Sequence, residues 1–524
     1  MVRMVRATWY VGGALVFGLL ALLNVGGYRY GVSDQAFYVP VVLQQIDPSL
    51  FPHDAELLGA QNRFFAFDDW FAALIVASGA SVPAAFLLAY LGGLATLYAA
   101  AAAMGRSLYF TGWGTAAFVV ALAIRHRIPD TAVNTLESYL HPRQLAFAVG
   151  LAATAFFLHR GRWSVVATVA LAALFHPTTA LWFAVLLGPA LLVADRGARR
   201  PLLATAAVGV SVAGFAAGFG ASAIGEPMAV MDAQWSSLLE VKDYLLATDW
   251  PLSTWIVNLG LAAIVAAVYG HRRRQGWATT RETGLLAGAS VLLLLFAVSV
   301  PLAHAGVALV VQLQVSRVFW ILDILALWYV VWVLVESRWA RRPLPFLRDR
   351  GAADVQFRHA VVVLIVVAAV ARGSYVTLVE RAGRPLVEVD LPPTEWTEVM
   401  HWAERQPVGT NFLADPGHAW RYGSSVRAAA GRDVYLEDVK DVGIAIYSSA
   451  VAERVSTRRA DLGDFAALDA EHARRLARRY ELHFLIAEQA IDLPAAYRHG
   501  RFTVYDLRPA LRSARRRTET PAGN

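Results

Sequence analysis

The stretch that decides the fold reads YRYGVSDQAFYVPVVLQQIDPSLFPHDAELLGAQNRFFAFDDW and runs from Tyr28 to Trp70. It is polar and aromatic, whereas one apolar run precedes it and further apolar runs follow it as far as residue 378. A polar loop between long apolar runs is typical of a protein that crosses a membrane many times. We therefore predict that this stretch is the first part of the chain to face the outer side of the membrane.

The composition also indicates a membrane protein. The chain has 524 residues, of which 57% are hydrophobic and 17% charged, and its mean hydropathy is +0.45. It has no cysteine, which excludes disulfide bonds, a thiolate nucleophile and a cysteine-ligated metal. The net charge of +7 is carried almost entirely by arginine, because Lys242 and Lys440 are the only lysines. In a membrane protein the positions of arginines reflect first of all which loops lie in the cytoplasm. The arginines therefore do not indicate nucleic-acid binding.

Apolar runs long enough to cross a hydrocarbon core of ~30 Å recur along the sequence. The first, Thr8–Gly27, follows a short basic head and is predicted to be an uncleaved anchor. The further predicted spans are Val82–Met104, Gly112–Ile124, Gln144–His159, Ser164–Phe175, Thr179–Ala194, Leu202–Gly225, Pro251–Gly270, Gly284–Leu302, Val307–Val335 and Ala360–Leu378. We thus predict a polytopic α-helical membrane protein with about 11 transmembrane helices. Residues 164–194 could instead form a re-entrant hairpin, because both runs there are short.

The distribution of arginine orients the predicted spans. Basic residues collect on cytoplasmic loops, and the arginines fall on alternate loops of this chain. The clusters assigned to the cytoplasm are Arg3/Arg6, Arg106, Arg160/Arg162, Arg196/Arg199/Arg200, Arg272/Arg273/Arg274/Arg281 and Arg338/Arg341/Arg342/Arg348/Arg350. The N-terminus is then cytoplasmic, whereas the loops 28–81 and 125–143 and the C-terminal region lie outside.

Beyond Leu378 the sequence becomes charged and polar. We predict a transmembrane domain over 1–380, a small extracytoplasmic α/β domain over 381–510 and a disordered basic tail over 511–524. Pro392-Pro393 and a Thr394 N-cap open the first helix of the small domain. Short β-type runs follow at 411–415, 434–438, 483–488 and 502–507, with a helix predicted at Phe465–Arg479. The arginines of that helix and of the tail are either solvated or contact membrane lipid.

The candidate catalytic residue of the first loop is Asp34, in SDQAFY. It follows the first span closely, so its carboxylate would lie near the outer membrane surface, where a lipid-borne substrate would be held. A carboxylate there suits a general base. The alternative is that Asp34 caps a helix over Gln35–Gln45, and both roles could coexist. Asp54 and the pair Asp68-Asp69 are weaker candidates, because carboxylates at the end of a loop are usually caps or solvated.

The second outer loop, RHRIPDTAVNTLESYLHPRQ, carries more charge than a plain connection needs. Arginine binds phosphate well because its planar guanidinium donates two parallel hydrogen bonds. An acidic residue beside the arginines could pair with Asp34 as a second acid or base, or complete a site for a divalent cation. The alternative is that the arginines snorkel to the interface and Asp130 caps a helix. The candidates in this loop are Arg125, Arg127, Asp130, Glu137, His141 and Arg143.

Two further candidates lie at or inside predicted spans. His176 in FHPTTALW precedes Pro177, which is suited to the first position of a helix, so a structural histidine is one interpretation. Arg317 lies in VQLQVSRVFWILD, and an ionisable group within a span usually faces a cavity and a partner. Arg317 and Asp323 do not share a helix face, so we expect Arg317, with Gln312 nearby, to meet an anionic ligand or a carboxylate of another helix.

Taken together, these features resemble the GT-C fold membrane glycosyltransferases. The resemblance covers a cytoplasmic head, one span, a long outer loop with an early aspartate, about ten further spans with a charged second outer loop, and a C-terminal extracytoplasmic α/β domain. It implies that Asp34 is the catalytic base, that Asp130 or Glu137 is the second acid, and that Arg317 contacts the phosphate of a polyprenyl-phosphate sugar donor. The sequence has Asp34-Gln35 where the family has a paired acidic motif, which leaves open whether Mg²⁺ or Mn²⁺ is used.

The resemblance implies a specific reaction and location. An acceptor hydroxyl of a glycan, lipid or protein would attack the anomeric carbon of the sugar while the lipid phosphate departs. The segments DQAFYVP, DPSLFPHD, HPRQ and HPTT resemble those of bacterial relatives, which implies the bacterial inner membrane. Two alternatives remain at this stage: a flippase or transporter in which the same charges line a path, and a non-catalytic membrane scaffold.

Overall fold

The structure is a computed structural model that describes residues 2–62, 65–201, 203, 229–337 and 351–512. The chain divides into two compact units. We call the first the helical unit; it consists of Met1–Tyr28, Leu87–Val230 and Lys242–Val387. The second, the mixed unit, consists of Arg29–Phe86, Met231–Val241 and Glu388–Asn524. The first outer loop therefore groups with the C-terminal region, which is not how the sequence was divided above.

Helices form most of the described chain. In chain order they are α1 Val2–Val25, α2 Gln35–Ile46, α3 Ala55–Asn62, α4 Phe67–Ser78, α5 Val82–Leu108, α6 Gly112–Ala123, α7 Pro142–Leu158, α8 Arg162–Phe175, α9 Pro177–Ala194, α10 Ala233–Leu239, α11 Leu252–Arg274, α12 Thr280–His304, α13 Ala308–Leu313, α14 Val318–Val331, α15 Gly351–Tyr375, α16 Glu395–Glu404, α17 His418–Arg421, α18 Val426–Ala430, α19 Asp438–Ala445, α20 Ser449–Leu462 and α21 Ala470–Tyr480.

The strands are short. They are β1 Tyr28–Arg29, β2 Arg127–Ile128, β3 Val133–Asn134, β4 Val387–Glu388, β5 Asn411–Leu413, β6 Asp433–Val434, β7 Phe484–Ala487, β8 Ala495–His499 and β9 Phe502–Asp506. In the helical unit β2 and β3 form an antiparallel hairpin within the second outer loop.

The helical unit contains the apolar helices. Six helical segments of the described chain are long and apolar enough to cross a membrane, and four shorter apolar helices accompany them. Leu252, Leu294 and Leu364 are 74%, 62% and 67% exposed. Such apolar surface would be unfavourable in water but is suited to lipid. These observations support a multi-pass membrane protein. The predicted total of about 11 spans stays a prediction, because 202–225 lies largely outside the described residues.

Close packing of α9 against α12 depends on two glycines one helical turn apart. A Cβ on Gly288 would lie 1.9 Å from the backbone oxygen of Leu186, and a Cβ on Gly284 would lie 2.6 Å from that of Ala190. Any side chain at either position would force the two helices apart. Small residues four apart are a common means of close helix contact in membranes. The sequence TGLLAG thus sets how closely α12 packs.

The predicted span Val307–Val335 is not one continuous helix. Gln314 has a φ of 51°, in the left-handed region, and interrupts the segment between α13 and a 3₁₀ turn, Val315–Arg317. A non-glycine residue rarely adopts this conformation, so the break is held by its surroundings. Its consequence is that Arg317 lies at the start of α14 and not inside a helix.

The mixed unit is built on a five-stranded sheet with strand order β6-β5-β7-β9-β8. The pairs β5–β6 and β5–β7 are parallel, whereas β7–β9 and β8–β9 are antiparallel. Phe412 and Phe484 lie on neighbouring strands and pack beneath Trp396 and Met400 of α16. The N-cap predicted at Thr394 is confirmed, since its side chain accepts a hydrogen bond from the backbone N–H of Thr397.

Two predictions for the C-terminal region differ from the structure. The helix expected at Phe465–Arg479 begins only at Ala470, because the Asp469 side chain caps it there and a 3₁₀ turn precedes it. Strand β8 was not predicted, because its residues AAYRH are largely exposed and show no apolar alternation. Residues 513–524 of the predicted tail lie outside the described residues.

Candidate functional site

In the helical unit, the two His-Pro pairs of the sequence begin helices in the same way. His141 caps α7 by accepting from the backbone N–H of Arg143 at its Nδ1, over 3.1 Å. His176 caps α9 by accepting at its Nδ1 from the backbone N–H of Thr179, over 3.2 Å. Because each Nδ1 is an acceptor, a neutral ring carries its proton on Nε2. His176 thus has a structural role as the N-cap of α9, as one interpretation of the sequence predicted.

The same two histidines lie beside arginines. The rings of His141 and His176 are 6.4 Å apart, and the positive charges of Arg317 and Arg143 act on the His176 imidazole. We call His141, Arg143, His176 and Arg317 the basic cluster. Each of these residues lies at the N-terminal end of a helix, α7, α9 or α14. The partial positive charge of a helix N-terminus adds to that of the side chains, so the cluster is suited to an anion.

Glu137 borders the basic cluster. Its buried carboxylate lies 3.4 Å from Nη2 of Arg143, 3.7 Å from Nη2 of Arg125, and accepts from Nδ2 of Asn134 over 3.0 Å. The backbone oxygen of Glu137 also accepts from the Tyr90 hydroxyl. A carboxylate held this way orients the Arg143 guanidinium.

The remaining candidates of the second loop lie apart from one another. Arg127 is exposed on the β2–β3 hairpin. Asp130 accepts a short hydrogen bond from the Thr254 hydroxyl, which ties the loop to α11. Asp323 binds His126, with Oδ2 2.9 Å from Nδ1. The buried side-chain nitrogen of Gln312 has no hydrogen-bond partner among the described residues.

Asp34, in the mixed unit, stands at the N-cap position of α2 but makes no side-chain cap hydrogen bond. Its Oδ1 instead lies 2.7 Å from Nζ of Lys440, which begins no helix and was not predicted as a site residue. The capping alternative is therefore wrong for the Asp34 side chain, because Lys440 binds the carboxylate. The signal that could have identified Lys440 is its rarity, since the chain has only two lysines.

Asp54 is neither a cap nor solvated, contrary to expectation. It is fully buried and binds Nε of Arg427 over 2.7 Å, and it also contacts Arg454. Arg427, 1% exposed, donates to both carboxylate oxygens of Asp441 over 2.6 and 3.2 Å. Glu437 lies 3.7 Å from the same guanidinium. A buried charge persists only when it is paired, so the mixed unit has an ionic core.

Asp68 is also buried, and it has a different environment. Its Oδ1 has no hydrogen-bond partner among the described residues. Burial, together with the charge of the neighbouring Asp69, raises the pKa of Asp68 to about 8. The carboxyl group is therefore mostly protonated at pH 7, because the neutral form avoids the cost of burying a charge.

In the ionic core of the mixed unit, some pKa values are raised and others are lowered. Burial raises the pKa of Glu437 to about 7, although Arg427 opposes it, and burial lowers the pKa of His418 to about 4. For Asp54 burial acts against ionisation, but Arg427 and Arg454 outweigh it and lower the pKa to about 2. Arg427 and Arg454 thus keep Asp54 charged, while Glu437 gains or loses its proton near neutral pH.

A glutamine at position 437 is expected to remove one pH-dependent contribution to the stability of the mixed unit. The pKa of Glu437 is about 7 in the fold against 4.5 for an ordinary glutamate, so the folded form holds the proton more tightly. Its contribution is present below pH 4.5 and is lost as the pH rises to 7. The free energy of unfolding of the wild type minus that of Glu437→Gln should fall by up to about 3 kcal/mol across this range.

The measurement is denaturant unfolding of the full chain in detergent at several pH values, with protease cleavage of the mixed unit as the signal. The groups around Glu437 are Ser425, Arg427, Lys440, Asp441 and His418, and they are identical in both proteins. The control is Glu471→Gln, because the Glu471 side chain is 79% exposed. Parallel stability curves for the wild type and Glu437→Gln would contradict the expectation.

The use of Mg²⁺ or Mn²⁺ stays a prediction. Within the described ranges no group of three or more His, Asp or Glu side chains is placed to hold a metal ion. Asp34, Glu137 and Asp130 are instead bound by Lys440, Arg143 and Thr254.

Comparisons with known proteins give fold-level similarity only. No protein-family model matches the sequence, and no curated protein matches it. Solved structures of an archaeal oligosaccharyltransferase are among the structural neighbours. One is AglB from Archaeoglobus fulgidus in complex with an inhibitory peptide and a dolichol-phosphate, with 12% identity over 92% of this chain and 69% of that chain and a TM-score of 0.49. The apo form of the Archaeoglobus fulgidus enzyme gives 12% identity, 91% and 69% coverage and a TM-score of 0.49. At these values the similarity carries no information on activity or ligands.

Proposed function

We propose that this protein is a membrane glycosyltransferase that moves a sugar from a polyprenyl-phosphate donor to an extracytoplasmic glycan, lipid or protein. The observation that carries the proposal is the basic cluster. Arg143 and Arg317 lie with His141 and His176 at the N-terminal ends of three helices of the unit that has the lipid-suited surfaces. A phosphate attached to an isoprenoid chain needs both features, a cationic pocket for its head and a lipid phase for its tail.

The cluster has the chemistry that a departing lipid phosphate requires. Arginine guanidinium groups can bind phosphate oxygens in pairs, and Glu137 holds the guanidinium of Arg143 in place. The side-chain nitrogen of Gln312, which is close to Arg317 in sequence and has no partner in the part of the chain that the structure describes, adds a buried donor for a ligand oxygen. Because this positive charge is preorganised, it stabilises the negative charge that develops on the phosphate as the bond to the sugar breaks.

The reaction is a displacement at the anomeric carbon. An acceptor hydroxyl forms the new glycosidic C–O bond, the bond between the anomeric carbon and the phosphate oxygen breaks, and the proton of the hydroxyl passes to a carboxylate. Asp34 is the proposed base, and the polyprenyl phosphate leaves with the bonding electron pair. Asp130 or Glu137 is proposed as the second acid; Asp130 accepts from the Thr254 hydroxyl and Glu137 lies against Arg143.

Arg317 provides the direct test of the phosphate site. Arg317→Ala is expected to weaken binding of a short-chain polyprenyl phosphate by about 10–100-fold, since a hydrogen bond to a charged group contributes about 1.5–3 kcal/mol. Arg317→Lys should bind with intermediate affinity, because an ammonium keeps the charge but loses the planar fork. Binding is measured on purified protein in nanodiscs by isothermal titration or native mass spectrometry.

The matched control is Arg508→Ala, which removes an arginine that is 45% exposed on the mixed unit and paired with Asp506. It should bind the polyprenyl phosphate as the wild type does. Equal affinity of Arg317→Ala and the wild type would remove Arg317 from the site. Movement of a labelled donor lipid across vesicles without covalent product would show a transporter, and no donor-dependent chemistry at all would favour a scaffold.

A further inference from the structure

Lys440 is the cation that touches the proposed base. Its Nζ lies 2.7 Å from Oδ1 of Asp34, with the lysine side chain 12% exposed and the aspartate side chain 34% exposed. Both residues belong to the mixed unit. The Asp34 side chain makes no cap hydrogen bond to α2, so its contact with Lys440 is not shared with the helix end.

The backbone around Lys440 is fixed by buried groups. Lys440 lies in the first turn of α19, between Glu437 and Asp441. Asp441 Oδ2 accepts from the backbone N–H of Glu437 over 3.0 Å, and the backbone N–H of Lys440 donates to the Glu437 oxygen over 3.0 Å. The Arg427 guanidinium holds Asp441 at both carboxylate oxygens. The helix turn that presents Lys440 is therefore set by the ionic core.

The same ionic core also binds the first outer loop at a second residue, Asp54. Arg427 binds Asp54 as well as Asp441, so one guanidinium joins that loop to the turn that carries Lys440. The stem of Lys440 borders a small cleft lined also by Ser33, Pro416, Gly417 and Trp420, which limits the positions its amine can take. A flexible side chain is thereby placed at a defined distance from Asp34.

We propose that Lys440 is a positioning residue for Asp34 in the transfer reaction, an inference that rests on the proposed function. The ammonium group favours the ionised carboxylate, which is the form that accepts a proton, and it fixes the orientation of that carboxylate. Lys440 acts through Asp34 and takes no part in bond making itself. The ionic core of Arg427, Asp54 and Asp441 supplies the rigid support for the pair.

The activity test compares Lys440→Met with Lys440→Arg. Lys440→Met keeps the length of the stem but removes the charge, so kcat should fall by about 10–100-fold with little change in KM. The acid limb of its pH–activity profile should move to higher pH by about one unit, because an opposite charge near a carboxylate has been removed. Lys440→Arg should restore most of kcat and the position of the limb. Lys242→Met, in the helical unit, is the matched control and should behave as the wild type.

A second test of the pair does not depend on activity. Because the chain has only two lysines, acetylation of membranes with an amine reagent can be read at each of them by mass spectrometry. Lys440 should react several-fold more slowly than it does in Asp34→Asn at the same pH, while the rate at Lys242 stays constant between the two proteins. The reason is that the ion pair holds the amine, on a side chain 12% exposed, against the carboxylate and away from the reagent.

The outcomes separate the two proposals. Equal acetylation of Lys440 in the wild type and Asp34→Asn would show that the pair does not form, and would overturn the inference. Protection of Lys440 together with full activity and an unshifted pH profile of Lys440→Met would also overturn it. If the wild type gives no transfer product under any donor, the proposed function fails, and with it the catalytic role of Lys440; the acetylation rates then report on the pair alone.

Discussion

Exchange of Asp34 for asparagine is expected to lower the rate of sugar transfer by about 10²–10⁴-fold while the chain still folds and inserts. Asparagine keeps the size of the side chain and an oxygen that can accept from Lys440, but it has no useful affinity for a proton. The substitution removes no side-chain cap hydrogen bond of α2, so a loss of activity would not be due to a lost helix cap. The assay is transfer from a labelled polyprenyl-phosphate sugar to a lipid and cell-wall extract, in membranes containing wild type or variant.

Asp47→Asn is the matched control for this experiment. Asp47 lies in the same loop, is exposed, and accepts from the backbone N–H and hydroxyl of Ser49. Its exchange should leave the rate within about twofold of the wild type, since surface substitutions change stability by about 0.5 kcal/mol or less. Equal product from Asp34→Asn and the wild type would remove Asp34 from the role of base and would leave the phosphate site of Arg317 untouched.

Exchange of Arg427 for methionine is expected to destabilise the mixed unit by about 3–5 kcal/mol. The arginine is 1% exposed and neutralises two carboxylates, those of Asp54 and Asp441. Methionine fills part of the space but leaves both carboxylates buried near Glu437 without their main counter-charge. Removing one partner of a buried ion pair costs more than the pair contributes, because the remaining charge stays desolvated.

The measurement is unfolding of the full chain in detergent, followed by protease resistance of the mixed unit. Arg475→Met is the matched control, because its salt bridge to Glu471 is on the surface, with the side chains 54% and 79% exposed. Such a pair contributes about 0.2–1 kcal/mol, so that control should unfold nearly as the wild type does. A loss at Arg427→Met no larger than at Arg475→Met would mean that the ionic core is not desolvated in solution.

The local features of the sequence predicted much of the helical unit. Apolar length places the helix boundaries of Val82–Leu108 and Gly112–Ala123 within a few residues of the predicted spans, and Pro177 stands at a helix start as predicted. These signals work because capping and hydrophobic length act over one or two turns of chain. The break at Gln314 was missed, because nothing in a run such as VVQLQVSRVF marks a left-handed residue.

The basic cluster was predicted in part. Arginines of the second loop, His176 and Arg317 were all candidates, because charge close to apolar spans is costly without a purpose. The sequence did not show which of these residues lie close to one another. In the structure, the charges of Arg143 and Arg317 act on the imidazole of His176, whereas Arg127 lies on an exposed hairpin.

The sequence by itself determined the class of fold elements: apolar helices of membrane length, polar outer loops rich in acid and arginine, and a C-terminal α/β region opened by the Thr394 cap. Only the tertiary structure decided the partners of the charges. Asp34 with Lys440 and Asp54 with Arg427 join residues that are far apart in the chain. Neighbouring residues report propensity and burial, whereas the partner of a buried charge depends on which distant segment folds against it, because ionic contacts form through space and leave no periodic mark in the sequence.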